Sequence, residues 1–540
     1  MSSPTVVASH SITPGLLFSR SSAAWAPVAV FAVAFAYLLL CVPDPHFFLE
    51  SDDQGYQMAM GMAVAKGSLP GFDFISQYGP LVAFFSWAAW LLSGNAVGEI
   101  VLCAAGYSAA IALAYRYLAR YGNVTAATIG AVILLVLFSR YYKWYYWLLP
   151  LVVLVAAQSY AERRSAGDRA RFLVVGWGLL VGLSGLFRYD LLIEGAVFGA
   201  IVIAAVELTP RGRIRSKLAP ASRDLAIFVA SAIAPPALYC LLILLTRGWH
   251  QLSLVLLSVI DGSIDTVVYY GVRPFRFAPG GFSFGNAVAF LQLAIPLTYA
   301  AALLRSGRAL WSGKPAQRPD AFPLFCTALM GLGLFPQALH RADDQHLLQV
   351  LPPFVIVMGL LLARLMDSEP APERKTVGGL ALGTLALALA IVAPRAGNDL
   401  ASPFRNQIAL WRYIAGMPET AREHAVADMA AAIRTLTSPD STVFLVMPQT
   451  RMPMLFFAER RQPGLFPTYE PAMFGGDHWL RENEERLRRA PPDYVVLALG
   501  AARRSGVGAP YIPDLLADWQ ATYRTVVYQN PFFVLLAPNG

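Results

Sequence analysis

Three groups of ionisable and tyrosine side chains stand where apolar segments end, and their types suit chemistry on a phosphate ester. A carboxylate can take a proton from an acceptor hydroxyl. Arginine can bind a phosphate leaving group in bidentate fashion, and histidine can add a further contact. The three groups, in chain order, are Asp52, Asp53 and Tyr56; Arg188 and Asp190; and His340, Arg341, Asp344 and His346.

Each group could also be present for a reason other than chemistry on a phosphate ester. Two acids just beyond an apolar segment are often a solvated helix end, and Arg188 with Asp190 is consistent with an interfacial ion pair. Asp190 and Glu194 are one helical turn apart and could instead hold a cation. In the third group, the histidines and carboxylates, with Asp343, could ligate a divalent metal. Their spacing matches no fixed ligand pattern, and we expect no metal cofactor. The aromatic run at 140–147 is interpreted as an interfacial belt.

The composition places these groups in a polytopic membrane protein. The chain has 540 residues, of which 56% are hydrophobic and 14% charged, with a mean hydropathy of +0.50. Soluble domains carry roughly 25% charged residues. Several apolar stretches are long enough to span a bilayer. The net charge of +8 is spread over short loops. This distribution indicates membrane orientation and gives no support to nucleic-acid binding.

Eleven apolar segments are predicted to span the membrane, with basic loops at every second connection as cytoplasmic loops require. Pro80–Ser93 is a twelfth apolar stretch, but its fourteen residues reach only about 21 Å as a helix. We therefore predict a juxtamembrane or re-entrant helix there, the N-terminus in the cytoplasm, and residues 395–540 outside. The spans are 25–42, 95–115, 124–139, 144–161, 172–187, 190–207, 225–246, 283–304, 321–339, 347–364 and 376–394.

Two domains are expected. Residues 1–394 form the transmembrane domain, whose external loop 44–94 carries the acidic pair and the juxtamembrane helix. A second external stretch is predicted at 247–282. Residues 395–540 have ordinary polarity and form a small extracytoplasmic α/β domain of Rossmann-like order, without a glycine-rich fingerprint. Its predicted strands are 442–447, 494–499, 523–528 and 532–537, and its predicted helices are 404–416, 419–437 and 476–489.

The chain resembles the GT-C superfamily of membrane glycosyltransferases, especially bacterial relatives of protein O-mannosyltransferases and of the lipid A aminoarabinose transferase. Those enzymes place an acidic pair, roughly D-E-x-x-Y, in the loop after the first span, followed by a Y-x-P or K-P-P-like turn into a juxtamembrane helix. The matching residues here are Asp52-Asp53-Gln54-Gly55-Tyr56 and Gln77-Tyr78-Gly79-Pro80. The HRADDQH turn running into LLQVLPP and the small external tail are also similar to this superfamily.

The resemblance implies a glycosyltransferase whose donor is a hexose or pentose on polyprenyl phosphate and whose acceptor is a glycan, glycolipid or protein. By analogy Asp52 is the general base, and Arg341 and His346 contact the phosphate. The second acid is Asp53 rather than Glu, which leaves open which member of the pair is the base. The turn lacks the lysine of some relatives, so Lys66 or Arg188 would have to replace it.

Tyr56, Asp190, His340 and Asp344 complete the expected substrate site, which would face the periplasm from a bacterial inner membrane. Two other classes remain open: a lipid-linked glycan flippase and a non-enzymatic assembly protein. A flippase would place its charges near the bilayer midplane in repeated halves, whereas here they collect at one face. An oligosaccharide polymerase is chemically closer and would use the same kinds of residues.

Overall fold

A computed structural model describes twelve stretches of the chain, and most of the residues in them are helical. The described residues are 20–40, 52–137, 141–168, 171–208, 214–270, 284–311, 318–340, 344–366, 421–446, 453–466, 477–499 and 513–539. A four-stranded sheet lies near the C-terminal end. The expected architecture, a polytopic helical membrane fold with a small C-terminal α/β unit, is confirmed.

Fourteen helices occupy the described residues up to 366, with one 3₁₀ turn at Tyr141–Lys143. In chain order they are α1 (Arg20–Leu40), α2 (Asp52–Ala65), α3 (Pro80–Ser93), α4 (Val97–Tyr121), α5 (Val124–Val136), α6 (Tyr145–Ser165), α7 (Arg171–Phe187), α8 (Tyr189–Leu208), α9 (Ile214–Tyr270), α10 (Phe284–Trp311), α11 (Arg318–Leu334), α12 (Pro336–His340), α13 (Asp344–Gln349) and α14 (Leu351–Met366).

Ten of the eleven predicted spans overlap these helices, and the eleventh, 376–394, lies outside the described residues. Within the described residues, five helical stretches have the length and apolar composition to cross a bilayer: Val97–Tyr121, Tyr189–Glu207, Leu218–Asp261, Val288–Trp311 and Ala321–Leu339. Five further helical stretches are apolar but shorter: Trp25–Leu40, Pro80–Ser93, Val124–Val136, Arg171–Phe187 and Leu351–Met366. The total of eleven spans stays a prediction.

Small residues let α7 and α9 approach closely. A Cβ atom on Gly178 would lie 2.5 Å from the carbonyl oxygen of Phe228, and one on Gly182 would lie 2.5 Å from that of Ala232. Such backbone contact is typical of helix pairs in membranes, where van der Waals packing replaces the hydrophobic driving force. This pair fixes α7, whose last residue leads directly into Arg188.

In the predicted external stretch 247–282, the described residues up to Tyr270 belong to α9. The location of this stretch outside the membrane stays a prediction. The helix is kinked at Gly248, whose φ of +80° is a conformation that glycine adopts readily. Two helical segments therefore meet at Gly248. The segment beyond it packs on the C-terminal unit, through a cluster that contains Leu252, Val255, Leu465 and Trp479.

The C-terminal unit contains a sheet of four strands: β1 (Val443–Val446), β2 (Tyr494–Ala498), β3 (Tyr523–Gln529) and β4 (Phe533–Pro538). The sheet is mixed, with the order β1-β2-β4-β3, so the predicted Rossmann-like order was wrong. Strands β1 and β2 are parallel, but β4 runs antiparallel to both of its neighbours. A tight turn at Asn530, whose side-chain oxygen accepts from the backbone N–H groups of Phe532 and Phe533, reverses the chain between β3 and β4. The positions of the four predicted strands are confirmed.

Four described helices accompany the sheet: α15 (Ala421–Leu436), α16 (Pro453–Ala458), α17 (Asp477–Arg489) and α18 (Pro513–Thr522). Two of the predicted helices are found as α15 and α17. The third, 404–416, and the predicted domain boundary at 394 lie outside the described residues.

The C-terminal unit docks on the segment between α2 and α3 and on α9. The backbone N–H of Ile75 donates to the carbonyl oxygen of Leu465 at 2.9 Å. The Arg486 guanidinium donates to the Gln251 side-chain oxygen at 2.7 Å. Phe456 of α16 belongs to the same buried apolar cluster as the transmembrane helices. The position of α2, which begins with the acidic pair, therefore depends on both parts of the chain.

Candidate functional site

The turn that precedes α3 is fixed to the end of α7 by a backbone contact. The N–H of Gly79 donates to the carbonyl oxygen of Phe187 at 2.9 Å. A Cβ atom on Gly79 would lie 2.1 Å from the carbonyl oxygen of Leu186, so only glycine fits. A proline there would also lack the N–H that makes this bond. The departure from the second proline of some relatives thus has a local structural reason: the turn is docked beside Arg188.

Two cationic side chains share the ring of Tyr78. The Lys143 ammonium lies 4.5 Å from the ring centroid and donates to the Tyr78 hydroxyl at 3.0 Å. The Arg188 guanidinium carbon lies 5.3 Å from the same centroid. Lys143 is only 6% exposed. Cation–π contacts of this kind hold cations in place when they are shielded from water. The cluster concentrates positive charge at the junction of α3, α6 and α8.

Asp190 orients the second of these cations. Its carboxylate accepts from the Arg188 guanidinium at 3.0 Å and from the Tyr146 hydroxyl at 2.9 Å. The Tyr146 ring lies 5.8 Å from Arg188 and 5.7 Å from Lys143. Arg188 and Asp190 therefore form the ion pair that the sequence left as one alternative. The pair is part of the tyrosine-lined cluster, with each side chain only 17% exposed.

The expectation of an aromatic interfacial belt at 140–147 was wrong. Tyr142, Tyr145, Tyr146 and Trp147 are all buried against other helices. The Trp147 indole N–H donates to the carbonyl oxygen of Leu348, which ties α6 to α13. Sequence reasoning missed Lys143 for this reason. The sequence signal that could have identified Lys143 is its position: it interrupts a run of aromatic residues, and an interfacial belt does not require a lysine there.

The acidic pair stands at the start of α2, and its side chains lie outside what the structure describes. Asp52 and Asp53 are the first two residues of that helix. Tyr56 lies one helical turn further along α2. It is 1% exposed, and its ring lies 5.9 Å from that of Tyr78. The start of α2 and the Lys143–Arg188 cluster are thus connected through one pair of tyrosines whose rings are tilted by 51°.

The HRADDQH segment is only partly described. His340 ends α12 and Asp344 begins α13, but their side chains lie outside the described set, as do residues 341–343 with Arg341 and Asp343. His346 is half-buried on α13. The Leu348 carbonyl contact places α13 beside Trp147, next in sequence to Tyr146. The predicted metal ligands fall in this segment and stay untested. Among the side chains that the structure does place, no group of three or more potential metal ligands is found.

Charged side chains also lie where the C-terminal unit contacts α9. Partial burial alone would raise the pKa of Glu482, but the Arg486 guanidinium and His250 hold it below its usual range. The Glu482 carboxylate accepts from Arg486 at 2.9 Å and lies 3.3 Å from the His250 ring nitrogen. Arg247 and Asp73 add an ion pair of 2.6 Å. These contacts hold α9 against α17 and against the segment between α2 and α3.

Comparison with solved structures identifies the fold. The structure of ArnT from Cupriavidus metallidurans bound to undecaprenyl phosphate matches 96% of this chain and 98% of its own, with a TM-score of 0.52 and 13% identity. The apo form of the same protein gives a TM-score of 0.47 at the same identity. The Archaeoglobus fulgidus oligosaccharyltransferase, tethered with an acceptor peptide, gives 0.45 and 12% identity, over 88% of this chain and 69% of its own.

Neither the scan of protein-family models nor the search of curated proteins gave a match. At 13% identity the likeness to ArnT establishes the fold alone. The chain has the fold of the ArnT structure, which agrees with the architecture that the resemblance to GT-C enzymes implied.

Proposed function

We propose that this chain, with its GT-C fold, is a membrane glycosyltransferase that moves a sugar from a polyprenyl-phosphate donor to an acceptor hydroxyl. The observation that carries the proposal is the pair of cations on the Tyr78 ring, the buried Lys143 and the partly buried Arg188. They lie next to the helix that begins with Asp52 and Asp53. Positive charge on one side and carboxylates on the other suit a leaving phosphate and an attacking hydroxyl.

The phosphate side of the reaction falls to the two cations. Arg188 is suited to two parallel hydrogen bonds to phosphate oxygens, and Lys143 supplies a compact charge. Asp190 and Tyr146 hold the Arg188 guanidinium in one orientation. Charge that develops on the leaving phosphate is stabilised most by groups already oriented before reaction, because they need no reorganisation in the transition state.

The acceptor side falls to the acidic pair. The acceptor oxygen bonds to the anomeric carbon of the sugar while the bond from that carbon to the donor phosphate oxygen breaks. The acceptor proton passes to the carboxylate of Asp52, or of Asp53. The electron pair of the broken bond stays on the polyprenyl phosphate. General-base assistance of this kind contributes about 10²–10⁴-fold to the rate.

The remaining parts of the proposal follow from the site's place at one end of the helices. The apolar helices would hold the polyprenyl chain, and Tyr56, His340, Arg341, Asp344 and His346 would contact the sugar or phosphate. The acceptor would be a glycan, glycolipid or protein. The site would face the periplasm from a bacterial inner membrane. The structure of ArnT with undecaprenyl phosphate supports a lipid phosphate as the donor carrier.

Mass spectrometry of envelope glycans and glycolipids tests the proposal in a deletion strain complemented with variants. We expect a mass step of one sugar to disappear on deletion, to return with the wild-type gene, and to stay absent with Asp52→Asn. Asp168→Asn is the matched control, since Asp168 is an exposed acid between α6 and α7. Full restoration by both Asp52→Asn and Asp53→Asn would exclude the transferase. Loss of a repeating unit instead of one sugar would favour a polymerase.

Lysine variants distinguish Lys66, one of the two sequence-based alternatives for the phosphate contact, from the Lys143 cluster, which contains the other alternative, Arg188. Lys143→Met should abolish the one-sugar step, because Lys143 lies in the buried cluster. Lys66→Met should leave it intact, since Lys66 lies in the turn beyond the far end of α2. The opposite result would place the donor phosphate elsewhere in the external loop and would contradict the proposed site.

A further inference from the structure

A buried carboxylate joins the two elements that form the proposed site. Glu99 lies in the first turn of α4 and is only 2% exposed. One of its oxygens accepts from the Gln54 side-chain amide at 2.9 Å and from the Ser86 hydroxyl at 2.9 Å. Gln54 belongs to the first turn of α2, and Ser86 belongs to α3. A single oxygen of α4 therefore ties α2 to the helix that follows the Gly79 turn.

These bonds bear directly on the acidic pair. Gln54 is the residue after Asp53, so its side chain can fix the backbone of the first helical turn. The four N–H groups at a helix start have no partners within the helix, and first turns fray unless something holds them. The residue after Gln54, Gly55, packs against Pro453 of α16. The start of α2 is held from the transmembrane side by Glu99 and from the C-terminal unit by Pro453.

We propose that Glu99 is a positioning residue that sets the acidic pair for catalysis by holding Gln54. This inference rests on the proposed transferase function. Misplacement of a catalytic group by about 1 Å can reduce a rate by about 10²-fold. Loss of the Gln54 bond frees the first turn of α2 without touching Lys143 or Arg188. Product formation should therefore fall while binding of the lipid phosphate is kept.

A second buried carboxylate provides the matched control. Glu207, near the end of α8, accepts from the Tyr160 hydroxyl at 3.1 Å and from the Arg164 guanidinium at 2.5 Å. It is 8% exposed and joins α6 to α8 at the helix ends opposite Arg188 and Tyr146. Glu207 thus resembles Glu99 in burial and in linking helices, but it lies far along the helices from the acidic pair.

The experiment measures two quantities for each variant of the full chain. One is the amount of one-sugar product in the complemented strain. The other is the thermal stabilisation of the purified protein by undecaprenyl phosphate. We expect Glu99→Leu and Gln54→Met to reduce product at least tenfold while keeping the stabilisation. Glu99→Gln should retain product within about threefold of wild type, because its amide oxygen still accepts both hydrogen bonds.

Each alternative outcome has a distinct meaning. Wild-type product from Gln54→Met, the milder variant, would overturn the positioning role even if Glu99→Leu fails to fold. An equal loss of product per folded protein in Glu207→Leu would show that any broken helix link has the same effect, and would also overturn it. A wild-type protein that neither forms product nor responds to undecaprenyl phosphate would instead contradict the proposed function.

Discussion

Adding one methyl group at Gly55 should weaken the packing of the C-terminal unit against the helix that begins with the acidic pair. Gly55 is the fourth residue of α2 and faces α16. A Cβ atom there would lie 2.4 Å from Cδ and 2.6 Å from Cγ of Pro453, and 2.9 Å from its backbone nitrogen. Carbon atoms pack best at about 3.5–4.0 Å. The methyl group therefore overlaps a ring that has little freedom to move.

Two opposing terms set the size of the effect. Alanine is favoured over glycine in a helix by up to about 1 kcal/mol. Overpacking a tight contact costs about 1–3 kcal/mol. The contact here is about 1 Å too short at two atoms, so the cost lies near the upper end of that range. We expect Gly55→Ala to weaken the α2–α16 contact by about 1–2 kcal/mol net, a factor of roughly 5–30 in population.

Thermal unfolding in detergent and limited proteolysis provide the assay. Gly55→Ala should lower the melting temperature and speed cleavage between the transmembrane helices and the C-terminal unit. Gly176→Ala is the matched control: Gly176 is also helical, but a Cβ atom on it would meet nothing within 4 Å. That variant should gain the stability that alanine adds over glycine in a helix, and its melting temperature should be no lower than that of wild type.

A second substitution tests the named contact. Pro453→Ala removes Cγ and Cδ, so the Gly55→Ala/Pro453→Ala double variant should recover part of the lost stability. The reasoning is refuted if Gly55→Ala melts at or above the temperature of Gly176→Ala. It is also refuted if the Pro453 change adds its cost independently, because residues in contact should show a coupling of about 0.5–3 kcal/mol.

Three further predictions concern the cation cluster, the docking surface and the turn. Lys143→Arg should restore less than half of the product lost in Lys143→Met, measured as the one-sugar mass step, because the larger planar guanidinium does not reproduce the compact ammonium contact with Tyr78. The pKa of Glu482 is lowered in the folded chain, so its contribution to stability is present above the ordinary value of 4.5 and is lost as the pH falls below it. Melting temperatures between pH 7 and 3.5 should therefore drop less steeply for Glu482→Gln, and an identical slope would contradict this linkage. Gly79→Ala should fail to accumulate as folded protein in size-exclusion chromatography, since its Cβ atom would meet backbone oxygen at 2.1 Å.

The sequence predicted most of the helical fold because apolar length and charge alternation are local properties of the chain. Ten predicted spans overlap helices, and Pro80–Ser93 is a separate fourteen-residue helix, as predicted. The four strands of the C-terminal unit were also found. Their order was not, because the sequence pattern gives strand positions and leaves the direction of each strand to the turns, such as the one at Asn530.

The site could be predicted only in part. Tyr56, Arg188 and Asp190 were chosen from the sequence, and the structure connects them through Tyr78 and Tyr146. Lys143 was assigned to a belt because an aromatic run at a helix start has the same pattern whether it faces lipid or a cluster of helices. The distinction depends on which helices surround α6, and that is a property of packing.

The sequence by itself determined that this is a multi-span membrane protein whose ionisable residues collect where the spans end, because burying charge in hydrocarbon is costly wherever the helix is placed. Only the tertiary structure decided which ends meet. Contacts between residues far apart in the chain bring Lys143 to Tyr78, Glu99 to Gln54 and Pro453 to Gly55. Such contacts arise from shape and backbone approach between helices, and no periodicity within a single segment encodes them.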